Sequence, residues 1–345
     1  MRHSLKATIN DVANLAGVSI KTVSRVVNNE PNVRSDTRDR VEKAIADLSY
    51  RPNVSARNLA SDRARLIVLV YDDPAAYEAP SSGYVTKMQE GALLACKDAG
   101  YELLIQPCNY RERGLSEQLR RLVEYARPSG VVIAAPLSNM PRIVKAIDET
   151  GVPFVTVSRG QKSRRHFSVA TNDREISKEM TLHLVSEGHK RIAFICGNPE
   201  HAAVANRFDG YKDGLEEAGI KFTSKYVCEG DNSIGSGEKA AMKLLSLADP
   251  PTAVFAANDD MAAGVMRAAA KRGLTVPDDL SVAGCDDISL ARQVYPALTT
   301  IRQPFAEMVQ AATSALIEKK LPPGQLELVP GSLSVRGSTG PAPKS

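Results

Sequence analysis

No stretch of the 345-residue chain reaches the ~18 consecutive apolar residues that a membrane-spanning helix needs. The opening residues, MRHSLKATINDVANLAG, hold no apolar core of the kind a secretion signal carries, so a cytoplasmic protein with no membrane partner is expected. Cysteine is scarce and scattered: Cys96, Cys108, Cys196, Cys228 and Cys285 are odd in number and form no C-x-x-C pair. That excludes a disulfide framework and a cysteine zinc site, and leaves reduced thiols in or near the core. Nucleotide and catalytic signatures are missing too. The first apolar run is followed by YDDPAAYEAPSSG, where a dehydrogenase would carry G-x-G-x-x-G. There is no G-x-x-x-x-G-K-[ST], no G-x-S-x-G and no H-E-x-x-H, and GSG at 235–237 reads as a turn. His183 and His189 stand six apart, off one helical face. No catalytic residue, metal or cofactor is therefore expected, and enzymatic function is unsupported.

At roughly 100–200 residues per domain, the length suggests two or three domains. The charge is uneven. Residues 1–65 carry 12 Lys/Arg against 7 Asp/Glu, while the remaining 280 carry 32 against 33. A small basic module on a neutral body fits a polyanionic partner, although an imbalance this size can also arise by chance.

Within the basic module, Thr8 and Asp11 have capping-box spacing, and Val12, Leu15 and Ala16 follow on one helical face. Gly17 can end this helix in the left-handed conformation, and Ser19 can cap a second helix whose apolar positions are Val23, Val26 and Val27. A third helix is predicted over 35–49, with Val41, Ala44, Ile45 and Leu48 on one face, and Pro52 stops it. Two short helices joined by a Gly turn have the form of a helix-turn-helix unit. With the valines turned inward, Ile20, Lys21, Ser24, Arg25 and Asn28 lie on or beside the outer face, where donors can reach base edges and phosphates. Periodicity alone leaves a protein-contact module equally open, and the outward Lys21 and Arg25 favour DNA.

The segments TINDVANLAGVSIKTVSRVVNN and VRSDTRDRVEKAIADLSYRPNVSARNLAS closely resemble the head of LacI/GalR-family transcriptional regulators. The resemblance assigns Ile20 and Lys21 to the two variable positions that lead the recognition helix into the major groove. Arg25 matches the arginine that reads a base edge, and Thr22, Ser24 and Asn28 match positions that hold the phosphate backbone. Thr8, Ser19, Asn53 and Ala56 join this DNA-binding set. Leu59 matches the hinge leucine that wedges into the minor groove at the centre of a palindromic operator.

That match bears on NVSARNLA, residues 53–60, which has helix-compatible composition and one large apolar anchor. Fixing eight backbones costs about 8–16 kcal/mol, more than one leucine offsets in water. Composition alone leaves an ordinary flexible linker equally open. The resemblance implies a hinge that becomes helical only on DNA and beside a second copy.

From Leu66 onward, apolar runs at 66–71, 101–106, 130–135, 152–157, 191–196, 253–258 and 280–285 alternate with amphipathic stretches at 86–99, 115–126, 140–150, 174–187, 205–218, 237–247 and 260–272. Such alternation predicts two doubly wound parallel-sheet lobes with a ligand cleft at the strand ends. The segments EGHKRIAFICG, NRFDGYKDGLEEAGI, PALTTIRQP and LSVRGST extend the family resemblance over essentially the whole chain and imply a type I periplasmic-binding-protein fold. The expected fold is thus a small all-α helix-turn-helix head (1–50), a hinge or linker (51–64) and a two-lobed α/β body (65–340). The chain should cross between lobes near 158–165, 287–293 and 320–330. A secreted binding protein would share this body but not the basic head.

Strand ends nominate the cleft residues. Asp72 and Asp73 follow the first strand, Asn258 and Asp259 follow AVFAA, Asp286 follows SVAGC, and Arg207 opens the helix after RIAFICG. Carboxylates, an amide and a guanidinium suit a polyhydroxylated ligand, whose hydroxyls both donate and accept. The resemblance places Asp173, Arg207, Asn258 and Asp286 at effector-contacting positions. Asp259 reads first as an N-cap. DDPAAYEAPSSGYVTKM departs from the family's short N-P-F-[FY] segment: Tyr77 and Tyr84 could stack on a ligand or merely pack locally. The expected effector is a mono- or oligosaccharide or a derivative, with a nucleobase as the alternative. In QPFAEMVQAATSALIEKK, Phe305, Met308, Val309, Ala312 and Leu316 form a core stripe. No leucine heptad follows residue 340, so a C2 homodimer is expected.

Overall fold

The computed structural model describes residues 7–27, 31, 33–48, 50, 64–73, 83–159, 163 and 165–344. Asn28, Asn53, Ala56, Leu59 and Tyr77, with the whole hinge reading at 53–60, lie outside the described residues. The chain divides into two compact units, Met1–Ala64 and Arg65–Ser345.

The first unit contains helices α1 (Ile9–Ala16), α2 (Ile20–Val27) and α3 (Ser35–Asp47). The Thr8 hydroxyl accepts the Asp11 amide, and Asp11 Oδ2 accepts the Thr8 amide at 2.8 Å, which completes the capping box. Gly17 ends α1 at φ 62°, a conformation only glycine adopts without cost. Ser19 Oγ accepts the Thr22 amide at 3.1 Å and caps α2. Val12, Ala13, Ala16, Val23, Val26, Val41 and Ala44 form the core. Leu15, expected inside, is 55% exposed: α1 turns Ala13 inward instead, so the buried face runs through Val12, Ala13 and Ala16.

The second unit has two lobes, each built on a six-stranded sheet. In chain order the strands and helices are β1 (Ala64–Asp72), α4 (Gly83–Ala99), β2 (Glu102–Cys108), α5 (Leu115–Ala126), β3 (Pro128–Ile133), α6 (Pro141–Asp148), β4 (Phe154–Val157) and β5 (Ser168–Ala170). Then follow α7 (Asp173–Ser186), β6 (Ile192–Cys196), α8 (Ala202–Glu217), β7 (Val227–Glu229), α9 (Ile234–Leu244), β8 (Ala253–Ala256), α10 (Asp259–Lys271) and β9 (Ser281–Asp286). The chain closes with α11 (Ser289–Gln293), β10 (Thr299–Arg302), α12 (Phe305–Glu318), β11 (Leu326–Leu328) and β12 (Ser332–Ser334). The strand orders are β11-β5-β4-β3-β1-β2 and β12-β10-β9-β8-β6-β7. β10 and β12 pair antiparallel, and the other described registers are parallel.

Both faces of the first sheet are covered. Ile67, Leu69 and Val155 pack toward α4 and α12, and Val68, Val70 and Val131 toward α5 and α6. Alternate residues of β1 thus serve opposite cores, which is why the strand reads as an unbroken apolar run. Met308, Val309, Ala312 and Leu316 of α12 are buried, as their stripe implied, with Phe305 at its edge. In the second lobe, Phe194 stacks on Tyr211 at 5.1 Å and meets Phe255 edge-on at 5.2 Å.

Two of the three crossings differ from expectation. The first falls at 171–172, not 158–165, because β5 still belongs to the first sheet. The second falls at 303–304, not 287–293: Ala291 of α11 remains in the second-lobe core, and β10 must add to that sheet before α12 returns. The third lies at 329–331, at the end of the expected stretch. Among the described residues, no helix is long and apolar enough to cross a membrane.

Candidate functional site

The outward surface of α2 is set by its two buried valines. With Val23 and Val26 inside, Ile20 is 51% exposed, Lys21 is exposed, and Thr22, Ser24 and Arg25 are half-buried. Ser19 and Thr22 join hydroxyls at 2.9 Å, which fixes the start of the helix. Thr8 is exposed at the cap of α1. The described part of this set therefore presents a short helix with a cation and an apolar side chain leading.

In the second unit three of the nominated residues, Asp173, Arg207 and Asp286, converge. Arg207 lies in the second turn of α8 rather than at its start, because His201 takes the N-cap position and the helix begins at Ala202. Its Nε donates to Asp173 Oδ1 at 2.8 Å, its Nη1 donates to the Ala257 carbonyl at 2.6 Å, and Nη1 stands 3.7 Å from Asp286 Oδ1. Among the described residues Nη2 hydrogen-bonds to none. Burial opposes the charge of Arg207, but Cys285, Asp173 and Asp286 outweigh it and hold the guanidinium pKa above its usual range.

Asp286 ends β9 at φ 126° and is followed by Asp287 at φ 52°. Two successive non-glycine residues with positive φ mark strain of about 1–3 kcal/mol each. Asp287, whose side chain is 2% exposed, holds the turn through Arg336 Nη2 at 2.6 Å and Arg292 Nη2 at 3.2 Å. The Asp286 carboxylate, 8% exposed, accepts no hydrogen bond among the described residues and has only Arg207 as ion partner. Burial drives its pKa well above the ordinary carboxylate value, against the pull of Arg207.

The N-cap expected of Asp259 falls to Asn258. Asn258 Oδ1 accepts the Met261 amide at 2.9 Å and caps α10, while its Nδ2 donates to the Asn232 carbonyl at 3.0 Å. Asp259 is not the cap. It turns into the sheet, accepts the Thr300 hydroxyl at 2.5 Å and the Ile288 amide at 3.0 Å, and burial raises its pKa to about 7.

In the first lobe, Asp72 is the last residue of β1 and 1% exposed, and its Oδ1 accepts the Tyr110 amide at 3.0 Å. Asp73 is half-buried beside it. The ring of Tyr84 packs on Phe305 at 5.7 Å, and its hydroxyl donates to the Asp72 carbonyl at 3.4 Å. Four participants were not singled out from sequence: Gln303, His201, Tyr110 and Asn198. Gln303 Nε2 donates to Asp173 Oδ1 at 3.0 Å, and burial and then Arg207 lower the His201 pKa to about 4. Tyr110 and Asn198 meet across the lobes at 3.1 Å. Both stand two residues past a strand end, as Asn258 does, so the same strand-end rule would have found them. Among the described residues, no cluster could hold a metal ion.

A three-helix head with a helix-turn-helix surface, and a two-lobed body with a polar cluster at its strand ends, together define a ligand-responsive DNA-binding regulator. Comparison with known proteins makes this specific. Residues 8–53 match the family described as bacterial regulatory proteins, lacI family, and residues 181–339 match the periplasmic binding protein-like domain. The chain is 32% identical to the HTH-type transcriptional regulator DegA of Bacillus subtilis (strain 168), over 98% of this chain and 99% of DegA. It is similar to the lac repressor dimer bound to operator and the anti-inducer ONPF, with 29% identity, a TM-score of 0.81, and coverage of 97% and 100% of the two chains. It is similar also to the transcriptional regulator CelR in complex with cellobiose, with 28% identity, a TM-score of 0.73, and coverage of 96% and 99%. The chain belongs to the LacI family of DNA-binding transcriptional regulators, and its relatives there are regulators, not enzymes.

Proposed function

We propose that this protein represses carbohydrate-utilisation genes by binding a palindromic operator as a homodimer, and that a sugar in the cleft between its lobes switches it. The observation that carries the reading is the pairing of an under-satisfied, buried Asp286 carboxylate with the open Nη2 edge of Arg207. A sugar hydroxyl donates to the first and accepts from the second, and Asn258 has one further amide proton to offer. Asp173 orients the guanidinium, and Asp72 is the effector contact contributed by the first lobe. In the head, Ile20, Lys21 and Arg25 read base edges, while Thr8, Ser19, Thr22, Ser24 and Asn28 hold the backbone. Asn53, Ala56 and Leu59 engage the minor groove. The exposed apolar residues Leu93 and Leu94 on α4 and Ile105 on β2 support a dimer. Effector binding changes the angle between lobes and with it the spacing of the paired hinges.

A thermal-shift screen of the full chain against monosaccharides, oligosaccharides and nucleobases tests the effector class. A ligand at a hundred times its Kd stabilises by about 2.7 kcal/mol. A sugar that raises the melting temperature, alters operator retention, and does neither in Asp286→Ala supports the reading. A shift with nucleobases alone overturns the sugar.

A further inference from the structure

We propose that Tyr110 and Asn198 form a clasp that holds the open edge of the cleft shut and positions the candidate effector residues Asp72 and Asn258. The role of those two ends rests on the function proposed above; the clasp itself does not.

Its place in the fold is the first argument. The three crossings lie beside β5, β10, β11 and β12, at one edge of each sheet. β2 is the opposite edge of the first sheet, and β6 and β7 stand farthest from the crossings in the second. Tyr110 follows β2 and Asn198 follows β6, so their contact sits across the cleft from the hinge. A bond at the far end of a hinged body resists opening with the longest lever.

The second argument is how firmly each partner is held within its own lobe. The phenolic oxygen of Tyr110, a residue 6% exposed, accepts Asn198 Nδ2 at 3.1 Å and Arg111 Nε at 3.1 Å. Its backbone amide donates to Asp72 Oδ1 at 3.0 Å, and its carbonyl accepts Arg142 Nη2 at 2.9 Å. On the other side, the Asn198 amide donates to Asn232 Oδ1 at 3.1 Å, and Asn198 Oδ1 accepts the Glu200 amide at 3.0 Å. The preceding Gly197 allows this approach, since a Cβ there would collide with Asn232 Oδ1. Asn232 itself has φ 72° and receives Asn258 Nδ2 on its carbonyl. One hydrogen-bonded path therefore runs from Asp72 through Tyr110, Asn198 and Asn232 to the cap of α10. A ligand that takes the Asp72 carboxylate or the Asn258 amide draws on the same atoms that hold the clasp, which makes Tyr110, Asn198 and Asn232 positioning residues.

The path supplies its own probes, because the amides of Tyr110 and Asn198 are both protected by side-chain acceptors within it. Residue-resolved hydrogen exchange on the full, ligand-free chain without DNA reads them. Tyr110→Phe keeps the ring and removes only the shared oxygen; it is expected to speed exchange of the Asn198 amide about tenfold, the size of one net hydrogen bond. Asn198→Ala is expected to do the same to the Tyr110 amide, and the double variant to exceed neither single one. A purely local role would move only amides of the substituted lobe, so an unchanged amide across the cleft overturns the clasp, as do additive effects in the double variant. Neither effector nor operator enters the measurement, so a negative result here leaves the regulatory reading standing, and a failed effector screen leaves the clasp standing.

Discussion

Arg207 Nε lies 2.8 Å from Asp173 Oδ1, and the same oxygen receives Gln303 Nε2 at 3.0 Å. Asp173 begins α7 directly after the first crossing, and Gln303 stands on the second. Asn172 Oδ1 accepts the Gly331 amide at 2.9 Å, which ties the first crossing to the third. The polar cluster is therefore fastened to the segments about which the lobes can bend. Asp173→Ala strips a buried guanidinium of its nearest charged partner and is expected to cost about 3–5 kcal/mol in urea unfolding. Asp173→Asn keeps an acceptor and should cost less. Equal losses in the two variants would show that the pair matters for its shape alone.

Asp286 is expected to behave in the opposite sense. Its folded pKa is raised above the ordinary 3.8, so above that value the folded state holds more protons than the unfolded one, and stability falls as pH rises. Asp286→Asn removes the cost of ionising it. At pH 7 the variant should melt no lower than the parent and should lose that component of the pH slope. A marked drop in melting temperature would place the carboxylate in the structural framework instead.

These two residues also show what the sequence made legible. Seven strands and the helices between them were readable because each carries a long apolar run or a 3.6-residue stripe. β5, β7, β11 and β12, of three residues each, and β10, four residues reading Thr-Thr-Ile-Arg, were not: none carries an apolar run long enough to show a period. The misplaced crossings follow from that gap, since β5 moves the first past residue 170. At the site, residue type and strand-end position located Asp286 and Arg207. The choice between Asn258 and Asp259 as cap was beyond reach, because it depends on Thr300 and Ile288 waiting inside the sheet for a carboxylate.

His189 governs a second pH response. It is fully buried and touches Thr252 Oγ1 at 2.9 Å, Ser281 Oγ at 3.0 Å and the Gly340 carbonyl at 3.1 Å. A carbonyl only accepts, so Nε2 carries the proton and Nδ1 receives the Thr252 hydroxyl. Burial lowers its pKa from 6.5. The unfolded state binds the proton first as pH falls below 6.5, and the folded state loses stability from there toward its own pKa. Thermal unfolding between pH 7 and 5 should show that loss, and His189→Asn should flatten it. An unchanged slope in the variant would assign the acid sensitivity elsewhere.

For the head, Arg25→Ala is expected to weaken binding to a selected palindromic site by about 1–3 kcal/mol while leaving binding to random duplex nearly unaltered. Thr22→Ala, which removes a hydroxyl assigned to the phosphate backbone, should weaken both duplexes alike. Titrations of both duplexes separate the two. Equal loss on both duplexes for Arg25→Ala would make it a backbone contact rather than a reader of bases.

The dimer can be tested on its apolar surface. Leu93 and Leu94 are 58% and 44% exposed on α4, and Ile105 is 39% exposed on the edge strand β2. Exposed leucines on a helix beside an unpaired strand edge are a liability in a monomer and an asset under a second copy. Leu94→Glu places a charge there without touching the buried face of α4. Sedimentation should then report a monomer at concentrations where the parent is a dimer. Operator affinity should fall with it, because each head must then bind its half-site alone and the effective concentration supplied by the partner is lost. The head's affinity for a single half-site should stay as it was. A variant that remains dimeric would move the interface away from α4 and β2.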